Sequence, residues 1–283
     1  MPLKRSQLNK RFNMEILSSS FDPRGLFTPN SVTWRIHSDP SMAVGGIRAL
    51  LQQALHTDAM EGVAKHSNFR EDAWGRLQRT GDYVSTITFA STEEAFALAA
   101  RVRKIHTSLG LDDPHLLLWV HMSMVDSFLD IAIRSGMALN QSEADQYVSE
   151  MLTFAQLVGV SAEKVPTTVA QMQKYFSDIS PELRASEDAK RAALFLTIPP
   201  LPNAIRFATP AAPAWASLAL LASSSLPSWA RSLYGTPQLP GQNFATDLSL
   251  KALRKTIGVI PDAILAPPIY KDAIKRWDLE RVK

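Results

Sequence analysis

Apolar residues recur at spacings of three and four along most of the chain. Val44, Ile47, Leu50, Leu51, Ala54 and Leu55 form one face of a helix predicted over residues 44–59. Gly45 and Gly46 sit near its start, where a turn before the helix explains them; close approach of a flat ligand or a neighbouring backbone is the other reading. Asn68 and Glu71 then read as a cap and its third-position acid, opening a mixed helix through Arg76, Arg79, Thr80 and Tyr83. Val, Ile and Thr crowd the run Tyr83 to Phe89, so strand propensity competes there.

The clearest helix follows. Ser91-Thr92-Glu93-Glu94 is a capping-box pattern, and Ala95, Ala99, Val102, His106 and Leu109 recur at helical spacing until Gly110. Asp113-Pro114 introduces another, through Leu117, Trp119, Val120, His121, Val125, Phe128 and Leu129, apolar on more than one side. Ser142 with Asp145 starts a helix that ends at Gly159, and Val165-Pro166-Thr167 starts the next. Helices continue to about Phe195. Eight of the 18 prolines then fall between Pro199 and Pro240, which predicts short helices joined by rigid turns. A last helical piece spans Leu248 to Ile257. No internal repeat is present. The pattern predicts an all-α fold with at most a small strand pair: a basic N-terminus over residues 1–20, one helical domain over 21–270, and a charged tail over 271–283.

Composition narrows the chemistry. The chain has 283 residues and no cysteine, which excludes thiolate metal sites, iron-sulfur clusters, disulfide scaffolds and cysteine nucleophiles. A hydrophobic share of 46% is enough to fill a core. The net charge is +3, but Lys4, Arg5, Lys10 and Arg11 supply four positive charges with no acid beside them, leaving the body nearly neutral. No basic stripe with interleaved aromatics is present, so nucleic acid is not an expected partner. No apolar run follows the basic N-terminus, and the stretch Ala211 to Leu226 is too short and too interrupted to span a bilayer. The expectation is a cytoplasmic protein with no transmembrane segment, in which residues 211–226 form a buried helix or one that touches a membrane surface.

The usual nucleotide-binding, zinc-protease and serine-hydrolase motifs are missing. His106 lies in an apolar stripe, where a core histidine bonded to a backbone carbonyl is the simpler reading and an axial haem ligand the sharper one. His121, inside Leu116-Leu117-Leu118-Trp119-Val120, admits the same two readings. Arg76, Thr80 and Tyr83 share a helix face with Arg79 beside them, either a solvated surface or a donor array for a bound carboxylate. Glu61, Asp72, Glu93, Glu94, Asp126 and Asp130 show neither paired-carboxylate nor E-x-x-H spacing, so no di-iron site is indicated.

Five strings in order, Gly45-Gly46-Ile47-Arg48-Ala49-Leu50, His66-Ser67-Asn68-Phe69, Trp74-Gly75-Arg76-Leu77-Gln78-Arg79-Thr80, Val102-Arg103-Lys104-Ile105-His106 and Leu117-Leu118-Trp119-Val120-His121, span most of residues 30–235. Together they resemble the MpaB-type oxygenases, relatives of latex-clearing protein, the bacterial rubber oxygenase. The resemblance implies an all-helical fold around haem b, with dioxygen and an apolar, isoprenoid or unsaturated substrate as partners. It puts the iron ligand on His106 and the polar pair of the Arg-x-x-x-Thr motif on Arg76 and Thr80. Arg79 stands where the rubber oxygenase has a lysine able to close the distal iron position, and a guanidinium stays protonated and ligates poorly. Glu61 is the nearest match to the family's active-site glutamate, and His121 is a second candidate for the pocket. Alternatives are a helical haem or lipid carrier without turnover, and a haem peroxidase or peroxygenase.

Overall fold

The computed structural model describes residues 21–66, 73–197, 211–236, 239–261 and 266–278; of residues 63–66, 73–77 and 211 it describes the helical backbone alone. Among the described residues every regular element is helical, apart from one isolated antiparallel bridge between His56 and Leu183. The fold is all-α. The cap expected at Asn68 and Glu71, the turns around Pro199 to Pro210 and the basic N-terminus lie outside the described residues.

Two helices make the spine. α1 (Val32–His37) leads into α2 (Met42–Gln53), and α2 packs along the later α6 (Pro114–Arg134). Val44, Ile47, Leu51 and Leu55 are buried against Trp119, Met122, Val125 and Ile131, each side chain of this kind contributing roughly 1.5–3 kcal/mol when removed from water. Gly45 and Gly46 lie inside α2, not in a turn before it. A Cβ built on Gly45 would come within 3.0 Å of Phe128, so this glycine lets α2 and α6 approach closely, whereas Gly46 faces open space. α3 (Thr57–His66) follows α2 and touches α6.

α4 (Ala73–Phe89) and α5 (Thr92–Leu109) form a hairpin. The strand-prone run Tyr83 to Phe89 stays helical: Ile87 and Phe89 are buried, and Thr88 donates its hydroxyl to the Val84 carbonyl at 2.8 Å, four residues back. Burial of these apolar side chains outweighs a local preference worth only tenths of a kilocalorie, about 0.7 kcal/mol at most per residue. α5 begins with the expected capping box. Ser91 accepts from Glu94 N at 3.3 Å and Glu94 accepts from Ser91 N at 3.0 Å, while Gly110 ends the helix at φ 68°.

α6 is, among the described residues, the one helix long and apolar enough to cross a membrane, with mean hydropathy 1.6, yet most of it is buried inside the bundle. It is the core helix. α7 (Gln141–Glu150) is capped by Asn140 with Glu143, two residues ahead of the expected cap, and α8 (Leu152–Val158) ends at Gly159. α9 (Val169–Ile179) and α10 (Glu187–Thr197) follow, separated by the short 3-10 turn Ser180–Glu182. α11 (Ala211–Ser225) packs on α2 and buries Ala219 and Ala222, while Leu220 is 66% exposed. After α12 (Ser228–Leu233), α13 (Gln242–Ile257) is longer than the piece expected there. α14 (Pro268–Arg276) carries part of the segment read as a charged tail: Ala273 is buried, Tyr270 packs on Trp34 and Phe89, and Arg276 Nη2 donates to the Phe89 carbonyl.

Candidate functional site

α4 and α5 are joined by the short turn at Ala90-Ser91 and pack against each other. Arg76, Arg79 and Thr80 fall on the first and His106 on the second. The backbone of Arg76 stands one turn before Thr80; its side chain lies outside the description. Arg79 and Thr80 are exposed and hold interactions of their own. Tyr83, one turn further along, packs its ring against Phe154 and buries a hydroxyl that has no hydrogen-bond partner among the described residues. Burial pushes its pKa up, and the nearby Arg103 pulls in the opposite direction.

The stripe through His106 changes character along α5. Ala95 and Ala99 are fully buried, Val102 and His106 are half-buried, and Leu109 is 37% exposed with Ile105 at 48%. Beyond Ala99 the apolar face is therefore only partly covered. The His106 Nδ1 atom is buried and has no hydrogen-bond partner among the described residues. Burial lowers the His106 pKa, with Asp112 opposing, so the imidazole is neutral at pH 7. Among the described residues no carbonyl bonds this nitrogen, contrary to the simpler reading from periodicity.

His37, by contrast, has both ring nitrogens hydrogen-bonded, to side-chain hydroxyls rather than to a carbonyl. It is enclosed by Phe128, Tyr147 and Phe154, and burial drops its pKa to about 3. The Thr88 hydroxyl hydrogen goes to Val84, so Thr88 Oγ1 accepts from His37 Nδ1 at 2.7 Å; His37 Nε2 then accepts from the Tyr147 hydroxyl at 3.1 Å. Sequence reasoning passed over His37 because it has no apolar run around it; its neighbours come from α4, α6, α7 and α8. His121 is likewise buried, with a pKa of about 3 from desolvation, and its Nε2 has no partner among the described residues. Glu61 is exposed on α3.

On the next face of α5 a half-open cleft of about 450 Å³ is bounded by Arg103, Lys104, Thr107, Ser108, Asp112, Leu117, Val158 and Gly159. It has the size of a small-molecule site and a mixed basic and apolar wall.

Over residues 34–259 the chain matches the family model described as ER-bound oxygenase mpaB/B'/Rubber oxygenase, catalytic domain, and it belongs to that family of oxygenases. No curated protein and no solved structure matches it. The chain is an all-α oxidoreductase of the oxygenase class. Its residues fit the haem that the family resemblance implies: α5 offers a neutral imidazole with a buried, unpartnered nitrogen, set in an apolar face left partly uncovered.

Proposed function

We propose that the protein is a haem b-dependent oxygenase in which His106 holds the iron, acting with dioxygen on an apolar substrate with carbon-carbon double bonds, of isoprenoid type. One observation carries this reading: His106 is a neutral, half-buried imidazole without a hydrogen-bond partner among the described residues, on the face of α5 where the core packing opens. When bound, haem supplies the dioxygen chemistry, and the protein supplies orientation, dryness and polarity.

The chain's own residues divide that work. His106 must stay neutral to ligate, and its burial keeps the proton off. Val102 and Leu109, one turn to either side, give the ligand partial apolar cover. To Arg76, Arg79 and Thr80, all on α4, we assign the donor role, since guanidinium and hydroxyl groups suit carboxylate side groups of the cofactor or polar atoms near it. Glu61 and His121 complete the proposed set, one as an exposed acid on α3 and the other as a buried neutral base on α6.

The test is oxygen consumption by the haem-loaded protein presented with polyene and isoprenoid substrates. Uptake that requires both haem and the alkene supports the reading. Haem binding with no uptake across the panel identifies a carrier, and turnover that needs hydrogen peroxide in place of dioxygen identifies a peroxygenase.

A further inference from the structure

Three side chains outside the α4–α5 hairpin converge beside the spine. His56 lies in the turn between α2 and α3, His115 in the first turn of α6, and Glu182 in the 3-10 turn after α9. Glu182 Oε2 is 2.8 Å from His115 Nε2 and 3.3 Å from His56 Nε2. The three atoms all lie within 4.8 Å of one another, and the two imidazole rings stand 5.6 Å apart, inclined at 72°.

The convergence is held by more than these contacts. The backbone of Leu183 bridges to His56, Arg184 N donates to the Leu55 carbonyl at 2.8 Å, and Arg184 Nε donates to Thr57 Oγ1 at 3.1 Å. The Glu182 turn is thereby pinned to the His56 turn. His56 is 3% exposed and packs on Trp119, whose indole N–H donates to the Gln53 carbonyl at 2.9 Å. His115 and Trp119 are one helical turn apart, so a single face of α6 carries the second imidazole and the wall behind the first.

We propose that His56, His115 and Glu182 bind one divalent transition-metal ion of the zinc type. Two imidazole nitrogens and one carboxylate oxygen form a borderline-soft donor set, which suits zinc and its neighbours and lacks the oxygens that calcium or magnesium requires. Ligand atoms held about 2.0–2.1 Å from a tetrahedral ion stand roughly 3.3 Å from each other. The observed contacts to Glu182 are of that size, so a small adjustment of three side chains closes the site around an ion. His115 and Glu182 are half-exposed, at 48% and 47% of their side chains, which provides an entry path and leaves a fourth position to water. Bound there, the ion ties together the α2–α3 turn, the start of α6 and the turn before α10, three segments far apart in sequence.

The experiment uses the tag-free chain as purified, titrated with Zn²⁺ by calorimetry, with metal content measured after dialysis. The expected result is one Zn²⁺ per chain and a higher melting temperature with zinc. Calcium and magnesium leave the melting temperature unchanged. His115→Ala and Glu182→Gln, both at half-exposed positions that leave the core closed, each weaken binding about tenfold or more. His106→Ala leaves zinc affinity where it was. Unchanged zinc affinity in His115→Ala and Glu182→Gln overturns the proposal, as does a wild-type chain that retains no zinc and gains no thermal stability from it.

Discussion

Arg48 reaches from α2 to Asp126 on α6, with Nη1 2.8 Å from Asp126 Oδ2, although Arg48 itself is only 2% exposed. The same nitrogen donates to Ser127 Oγ at 2.8 Å, and Nε lies 3.5 Å from Asp130 Oδ2. A buried guanidinium is tolerated because acids and a hydroxyl take up its donors, and the pair ties together the two helices of the spine. Burial raises the Asp130 pKa, with Arg48 pulling it back down.

Replacing Arg48 by Ala leaves Asp126 and Asp130 close together without their common cation. The expected loss is about 2–4 kcal/mol, at the lower end because both acids keep some contact with water. Urea unfolding monitored by circular dichroism measures it. Arg48→Lys keeps the charge but not the forked geometry, so an intermediate loss is expected.

Adjacent glycines in α2 are predicted to respond in opposite directions. Gly46→Ala adds a methyl group where nothing lies within 4 Å, and the better helix propensity stabilises by up to about 1 kcal/mol. Gly45→Ala sets its methyl 3.0 Å from Phe128, and the resulting strain, about 1–3 kcal/mol, exceeds that gain. Melting temperatures of the two single variants provide the comparison.

The buried histidines make stability fall in mild acid. His37 and His121 have folded-state pKa values near 3, against 6.5 when unfolded, so the unfolded chain takes up protons that the folded chain refuses. Their contribution is present above pH 6.5 and is lost as pH falls from there toward 3, at ~1.4 kcal/mol per pH unit for each histidine. His121→Gln removes one of these protons. Its stability curve between pH 6.5 and 5, from urea unfolding at each pH, is expected to be flatter than wild type by about that slope.

Tyr147→Phe tests the His37 network. Removing the phenol leaves His37 Nε2 buried without a donor, at an expected cost of about 1–3 kcal/mol. Acid sensitivity is expected to ease too, since an unpartnered nitrogen next to less crowded space is easier to protonate. The pH dependence of unfolding in this variant reads both effects.

Local signals were legible where a few neighbouring residues decide the outcome. The capping box at Ser91 and Glu94, the stop at Gly110 and Pro114 at the start of α6 are all present as read. Strand-like Tyr83 to Phe89 left the end of that helix open because its fate depends on Trp34 and Tyr270, from opposite ends of the chain, which cover Phe89. The segment after Lys271 looked peripheral for the same reason, since Ala273 gives no hint of the aromatic cluster that receives it. Gly45 carried a real signal of close approach, but the partner, Phe128, is distant in sequence. In the candidate site, His106 was visible from spacing and from the family resemblance, while the uncovering of its apolar face was not. The His56, His115 and Glu182 cluster left no motif at all, because its members sit in separate turns that only folding brings together.

The central claim is that His106 is the residue that holds haem iron. It is tested most directly by loading the wild-type chain, His106→Ala and His121→Gln with haem and recording absorption spectra. The account predicts a Soret band in wild type that is lost or displaced in His106→Ala and kept in His121→Gln. An unaltered band in His106→Ala, or a wild-type protein that stays colourless with haem supplied, would contradict it.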